Sequence, residues 1–386
     1  MVTPADAVHD SDTAVFWRPA RFFGLDLAKA PGAAATVRLI AFDPVRPAPS
    51  LAVTVKLAVP PAVGVPLMSP ALLSVSPAGR EPDVTDHVYV PVPPLADIDW
   101  LYGELTVAAG SVAAQRLCMV QDWSITESSG LAISRRHADC FWTHNDSGDG
   151  PRLFLVDAAG RTCGTLTVDT AAPVDWEDVC TFELDGESWL LIADVGDNAG
   201  DRGRERRACR LLLVLEPGAG ESVSATQKRV WQGEVRAEIE LTYPEGPRDC
   251  ESVAVDVTSR MILLVSKRAA GKAALYGLPL ELQTREQRGQ LRELAAMSIP
   301  YATGMDISVD GQSLVVVNPV SGLLYRRRTG EGWGAAVGRS PDILTLPLRK
   351  QGESVCFERD GKSVLVGSEG RWQAVWRVPL PEPVTE

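Results

Sequence analysis

Long apolar runs are missing from this chain: none approaches the ~20 residues that a membrane-spanning helix needs. The first residues, MVTPADAVHDSD, lack the basic patch and apolar stretch of a secretory signal, so the expected location is cytoplasmic. Basic charge is in deficit. Lys and Arg number 38 against 50 Asp and Glu, a net charge of −12, which argues against general nucleic-acid binding. Cysteine is scarce and poorly spaced for chemistry. The seven thiols, at 118, 140, 163, 180, 209, 250 and 356, contain no CxxC pair and are odd in number. That excludes a disulfide framework or a thiolate zinc site and predicts free, buried thiols in a reducing compartment. The first 117 residues hold no cysteine, a hint that the chain has two parts. Helical periodicity is nearly absent too. Leu282–Ala296 is the one stretch that could pass for a helix, and Gly289 lies inside it.

What is present is a folded composition, 45% hydrophobic and 23% charged, over 386 residues, enough for two cores. The 33 Gly and 28 Pro recur about every ten residues. Between them lie short runs such as VRLIAF, LLLVLE, MILLVSK and SLVVVN. Short β-rich runs punctuated by turn residues predict an all-β chain.

From residue 127 one unit recurs five times: ESSGLAIS, DWEDVCTF, DCESVAVD, ATGMDIS and GESVCFE each lead into a turn, an apolar strand, a loop and a further strand. Aligning the units puts Ser129, Glu177, Glu251, Thr303 and Glu353 at one position, separated by 48, 74, 52 and 50 residues. The long interval contains an insertion at Ala199–Ala237. Repeats of ~40 to 50 residues predict a β-propeller, whose blades bury their faces only against one another. After Glu353 only 33 residues remain, short for four strands, so Ala113–Trp123 is expected to lend the last outer strand and close the ring. The expected fold is a five-bladed β-propeller over 113–386, preceded by a small β-sandwich over 1–112. A sixth blade from 50–112 is the alternative, although that region lacks the anchor cluster.

Equivalent positions at the start of each inner strand form a ring around the propeller axis. Three carboxylates there repel unless protons or a cation intervene. Ser129, Glu177, Glu251, Thr303 and Glu353 offer only oxygen, which favours a hard cation, Ca²⁺ before Mg²⁺. The competing reading is that each Glu accepts backbone hydrogen bonds from the neighbouring blade. The loops after the second strands should reach the same rim. They carry His144, Asn145 and Asp146, then Asp194, Asp197 and Asn198, Lys267 and Arg268, Asn318, and Glu369 with Arg371. Asp146 or His144 is a candidate general base, and Lys267 or Arg268 a candidate for neutralising anionic charge. Asn145, Asp197, Asn198, Arg268, Asn318 and Arg371 are candidate substrate contacts. Turn chemistry explains Asp146-Ser147-Gly148 and Gly196-Asp197-Asn198 equally well. Asp201–Arg210 packs five arginines into ten residues, either an attractor of anionic substrate or a solvated insertion.

The order Ser, Glu, Glu, Thr, Glu, together with ESSGL, THNDSG and DWEDV, resembles the soluble calcium-activated nucleotidases (apyrases) over residues ~120–386. That resemblance implies a central Ca²⁺ held by Ser129, Glu177, Glu251, Thr303 and Glu353, hydrolysis of nucleoside di- and triphosphates, and Asp146 at the active-site mouth. Thr303 stands where that family has serine. The His-Asn before Asp146 and the Gly-Asp-Asn at 196–198 look closer to bacterial phytase-like and esterase-like propellers. The leading expectation is a calcium-dependent hydrolase of a phosphate ester, phosphoanhydride or similar anionic small molecule. The other expectation is a non-enzymatic propeller whose Ca²⁺ is structural and whose first domain carries a protein partner. A propeller lactonase is a third, weaker fit, because those sites mix asparagine ligands with acids around six blades.

Overall fold

The computed structural model describes, within residues 1–113, seven strands, and beyond them residues 114–382 apart from 147, 198–208, 219 and 269–272. The chain divides into two compact units, Met1–Ser111 and Val112–Glu386. In the first, Phe23–Ala28 pairs with Thr36–Ala41, Ser50–Val55 with Val84–Tyr89, and Pro66–Met68 with both Ser74–Val75 and Trp100–Tyr102, all antiparallel. The strands from the region considered for a sixth blade thus pair among themselves.

Among the described residues of the second unit, strands group into antiparallel arrays in chain order. The first holds Ser128–Ile133, Cys140–Asn145, Arg152–Asp157 and Thr162–Asp169; the second holds Trp176–Leu184, Glu187–Asp194, Cys209–Leu215 and Arg229–Thr242. Cys250–Asp256, Met261–Ser266, Ala273–Pro279 and Arg292–Met297 make the third. Gly304–Ile307, Ser313–Val317, Ser321–Arg326 and Asp342–Thr345 make the fourth. The last consists of Val355–Phe357, Ser363–Val366 and Ala374–Pro379, with Gln115–Met119 paired to Ala374–Pro379 as its outer strand.

The innermost strands touch in order, and that of the last array touches that of the first. The arrays therefore form a closed ring, the propeller fold. A separate apolar core fills each junction. Phe182, Leu191 and Ile239 meet Val253, Leu264 and Tyr276 between the second and third arrays. Leu131, Phe141 and Phe154 meet Cys356, Leu365 and Val375 where the ring closes. Each fully buried Leu or Phe contributes about 1.5–3 kcal/mol, so stability lies between sheets rather than on the axis.

Two-sided burial explains why strands such as Met261–Ser266 and Ser313–Val317 read as nearly continuous apolar runs. Ser128–Ile133 and Cys140–Asn145 are buried at every position, whereas the outer strand Arg229–Thr242 alternates between exposed and buried. Asp185 and Gly186, both at positive φ, make the two-residue turn that sets the Leu184–Glu187 register. All seven cysteines are buried and free. The one helix among the described residues is the single turn Trp333–Ala336.

Leu282–Ala296 is not helical. It forms the strands Glu286–Gln290 and Arg292–Met297, the first lying parallel to Glu238–Thr242 and the second pairing with Ala273–Gly277. Gly289 is the reason the first strand fits, since a β-carbon there would press on the Leu278 side chain at 2.5 Å. The insertion Ala199–Ala237 contains structure of its own, namely Cys209–Leu215 and the start of Arg229–Thr242.

Candidate metal centre

The five anchor positions lie at or just before the innermost strands, and all five side chains are buried. Antiparallel order returns the loop after each second strand to this same rim. Ser129 donates its hydroxyl proton to the Glu177 carbonyl at 2.7 Å, and Thr303 donates to the Gly352 carbonyl at 2.9 Å. Both hydroxyls thus tie one array to the next, and each keeps lone pairs.

The carboxylates converge. Asp146, Asp175 and Glu177 offer oxygens that all lie within 4.8 Å of one another, as do Glu177, Asp249 and Glu251. Glu177 and Glu251 are each 3% exposed. Gly196 packs against the first group so closely that a β-carbon would overlap both Glu177 Oε1 and Asp175 Oδ2. Lys267 forms an ion pair with Glu251, and burial and Lys267 act on Glu353 beside it. Glu369 accepts from the Gln351 side chain at the edge of the cluster.

Crowded carboxylates out of water hold protons tightly. Burial, then Asp175 and Glu369, push Asp146 up to about 8. Burial, then Glu353 and Glu127, push Glu369 up to about 7. Glu177 is raised well above the ordinary range by burial and by Glu251. Glu251 is raised by burial in spite of Lys267. Burial alone would lower Lys267, but Glu251, Glu353 and Asp249 hold its ammonium above the usual range. Burial lowers Arg349 to about 10 against the pull of Glu353.

Among the described residues, three buried carboxylate oxygens have no donor from an amide, hydroxyl or ammonium, Asp146 Oδ1, Glu177 Oε1 and Glu251 Oε2, while a shared proton can link Asp146 to Asp175 and Glu251 to Glu353. Oxygens of this kind are satisfied by a proton or by a cation, and the all-oxygen donor set fits a hard divalent ion such as Ca²⁺. The residues present therefore suit the metal that the sequence resemblance implies.

Several sequence candidates serve the scaffold instead. His144 is fully buried, with Nδ1 3.0 Å from the Asn145 carbonyl, and burial lowers it to about 4. Its Nε2 would lie 2.6 Å from a β-carbon on Gly130, so it faces the first inner strand and is closed to substrate. Asn145 accepts from the Thr126 and Glu127 amides and donates to the Ser124 carbonyl and Asp149, which uses its whole amide. Asn318 is a turn residue, accepting from the Val320 and Ser321 amides and donating to the Pro300 carbonyl. The Asp197 amide donates to Asp249 at 2.9 Å. Arg268 is half-buried and Arg371 exposed. Asn198 lies outside the described residues, as does the basic run Asp201–Arg210 except for Cys209 and Arg210. Arg210 pairs with Asp194 at 2.6 Å.

The sequence reading missed Asp175, Asp249 and Arg349. The first two were available from the repeat: Asp175-Trp176-Glu177 and Asp249-Cys250-Glu251 place an acid two residues before the anchor, and Glu127 precedes Ser129 likewise. Nothing local marks Arg349.

No protein-family model matches the sequence, and no curated protein does. Among solved structures, the Chaetomium thermophilum Sqt1 bound to the N-terminus of ribosomal protein L10 is 13% identical, with a TM-score of 0.32 over 70% of this chain. The match spans 64% of the Sqt1 chain, less than two thirds of its length. A chain of a nidogen/laminin complex is 12% identical, with a TM-score of 0.35 over 63% of this chain and 73% of that one.

Proposed function

We propose that this chain is a five-bladed β-propeller, preceded by a small β-sandwich, that binds Ca²⁺ at the rim of its channel through Glu177 and Glu251, with Glu353 beside them. The observation that carries this reading is the pair of unpartnered, buried oxygens Glu177 Oε1 and Glu251 Oε2 within a converging acidic group. The activity this site would support is hydrolysis of an anionic small molecule such as a phosphate ester or phosphoanhydride. A bound divalent cation supplies Lewis-acid polarisation of a water or a phosphoryl oxygen. Asp146, rather than the enclosed His144, is then the group placed to accept a proton. Lys267 holds Glu251 in place, and Arg268 and Arg371 are further cations of the rim loops.

Calorimetry with Ca²⁺ on chelator-treated protein tests the site: one or more ions should bind, and Glu177→Gln should weaken binding at least tenfold. A panel of phosphate esters and nucleotides, with and without chelator, tests the activity. A second reading draws on the inter-array bonds from Ser129 and Thr303 and the depth of Glu177 and Glu251: the ion staples the ring and no chemistry follows. Cation-dependent melting without turnover of any substrate would select it.

A further inference from the structure

We infer that the rim holds two divalent cations rather than one, bridged by the Glu177 carboxylate. This rests on the cation reading above and extends it. Ca²⁺ lies about 2.3–2.6 Å from its oxygens, so ligands on opposite sides of one ion are at most about 5 Å apart. Asp146, Asp175 and Glu177 meet that limit, and Glu177, Asp249 and Glu251 meet it separately. The five side chains do not form one set with every oxygen within 4.8 Å of every other, and Glu177 is the common member of the two groups.

Each group has an unpartnered oxygen of its own besides the shared Glu177 Oε1: Asp146 Oδ1 in the first and Glu251 Oε2 in the second. Glu177, 3% exposed, directs Oε1 to the side where Asp175 lies, since a β-carbon on Gly196 would overlap both Glu177 Oε1 and Asp175 Oδ2. The first position is built by three segments: the loop after Cys140–Asn145, the approach to Trp176–Leu184, and Gly196 closing over them. The second lies between the second and third arrays, where Lys267 already neutralises part of Glu251. Lys267 makes the second position the weaker one, since an incoming ion competes with the ammonium for Glu251.

In this arrangement Asp146 is a ligand, and its role as proton acceptor in the one-ion reading lapses. Native mass spectrometry and calorimetry of the chelator-treated full chain titrated with CaCl₂ separate the cases, with circular dichroism confirming that each variant is folded. Two ions should bind, one at least tenfold more tightly. Asp146→Asn should remove the tighter event and spare the other, Glu251→Gln should do the reverse, and Glu177→Gln should weaken both. Gly196→Ala should act like Asp146→Asn. A single ion per chain that Asp146→Asn still binds overturns the first position and leaves the proposed function standing; a single ion that Asp146→Asn loses overturns the second. No bound ion overturns both.

Discussion

Glu177 and Asp178 are neighbours in sequence, equally buried and both acidic, yet they meet opposite fates. Asp178 accepts from the Val179 amide at 2.9 Å and, across the array junction, from the Val253 amide at 2.8 Å. Asp306 repeats the device two arrays on, accepting from Ile307 and, across its junction, from Phe357, each at 2.8 Å. These carboxylates complete backbone groups that the ring leaves unpaired. Glu177 and Glu251 each keep a buried oxygen with no amide, hydroxyl or ammonium to accept from. Burial alone does not separate a structural acid from a ligand; the count of donors does.

Breaking the structural pair should have the largest effect. Asp306→Ala leaves two buried amides unsatisfied, about 1–3 kcal/mol each, and should lower stability to urea whether or not Ca²⁺ is present. Glu177→Gln, by contrast, should leave the chelated protein as stable or more so, and abolish the rise in melting temperature that Ca²⁺ confers. Equal losses for the two variants in chelator would erase the distinction.

Arg327 and Asp256, 5% and 1% exposed, form a two-point ion pair at 2.6 and 3.0 Å between the third and fourth arrays, with Arg327 over the Trp333 ring. Arg327→Met strands the Asp256 charge and should cost about 3–5 kcal/mol, independently of cations. A cost that depends on Ca²⁺ would place this pair on the wrong side of the comparison.

Proton linkage sharpens the contrast further. Asp146 and Glu369 hold protons in the fold up to about 8 and 7, above an unfolded carboxyl. The folded chain therefore carries more protons between about pH 4 and pH 8, and without cation its melting temperature should fall as pH rises through that window. Ca²⁺ affinity should rise over the same interval, because binding expels those protons. Flat affinity between pH 6 and pH 8.5 would count against Asp146 as a participant.

The smallest effect belongs to His144, which is lowered to about 4. Unfolding lets it take a proton below about 6.5, so its contribution to stability is lost as pH falls towards 4. His144→Gln should lessen acid sensitivity without changing Ca²⁺ affinity; a changed affinity would return His144 to the site.

The all-β class was legible because Gly and Pro cut the chain into β-branched runs, and the repeat spacing located the inner-strand starts. The same alignment could have yielded Asp175 and Asp249. Asp178 and Asp306 were not legible, since they stand one and three residues past their anchors and so share no repeat position. Glu286–Met297 misled because its strands are defined by partners remote in sequence, and local periodicity does not encode a sheet edge. By type His144 looked catalytic and Asn145 a substrate contact, while their roles depend on groups 14 to 21 residues away.

Arg229–Thr242 gives the ring a property no single array has. Its first half runs parallel to the outer strand of the first array, its second half completes the second, and its end lies parallel to Glu286–Gln290 beside the third. Two consecutive arrays are thereby laced along their outer edge by one continuous backbone, to which Glu286–Gln290 adds a further parallel strand. Their amide protons should exchange with deuterium as one cooperative block, later than those of Gly304–Thr345, and a protease cut within the strand should split that block into separately opening parts.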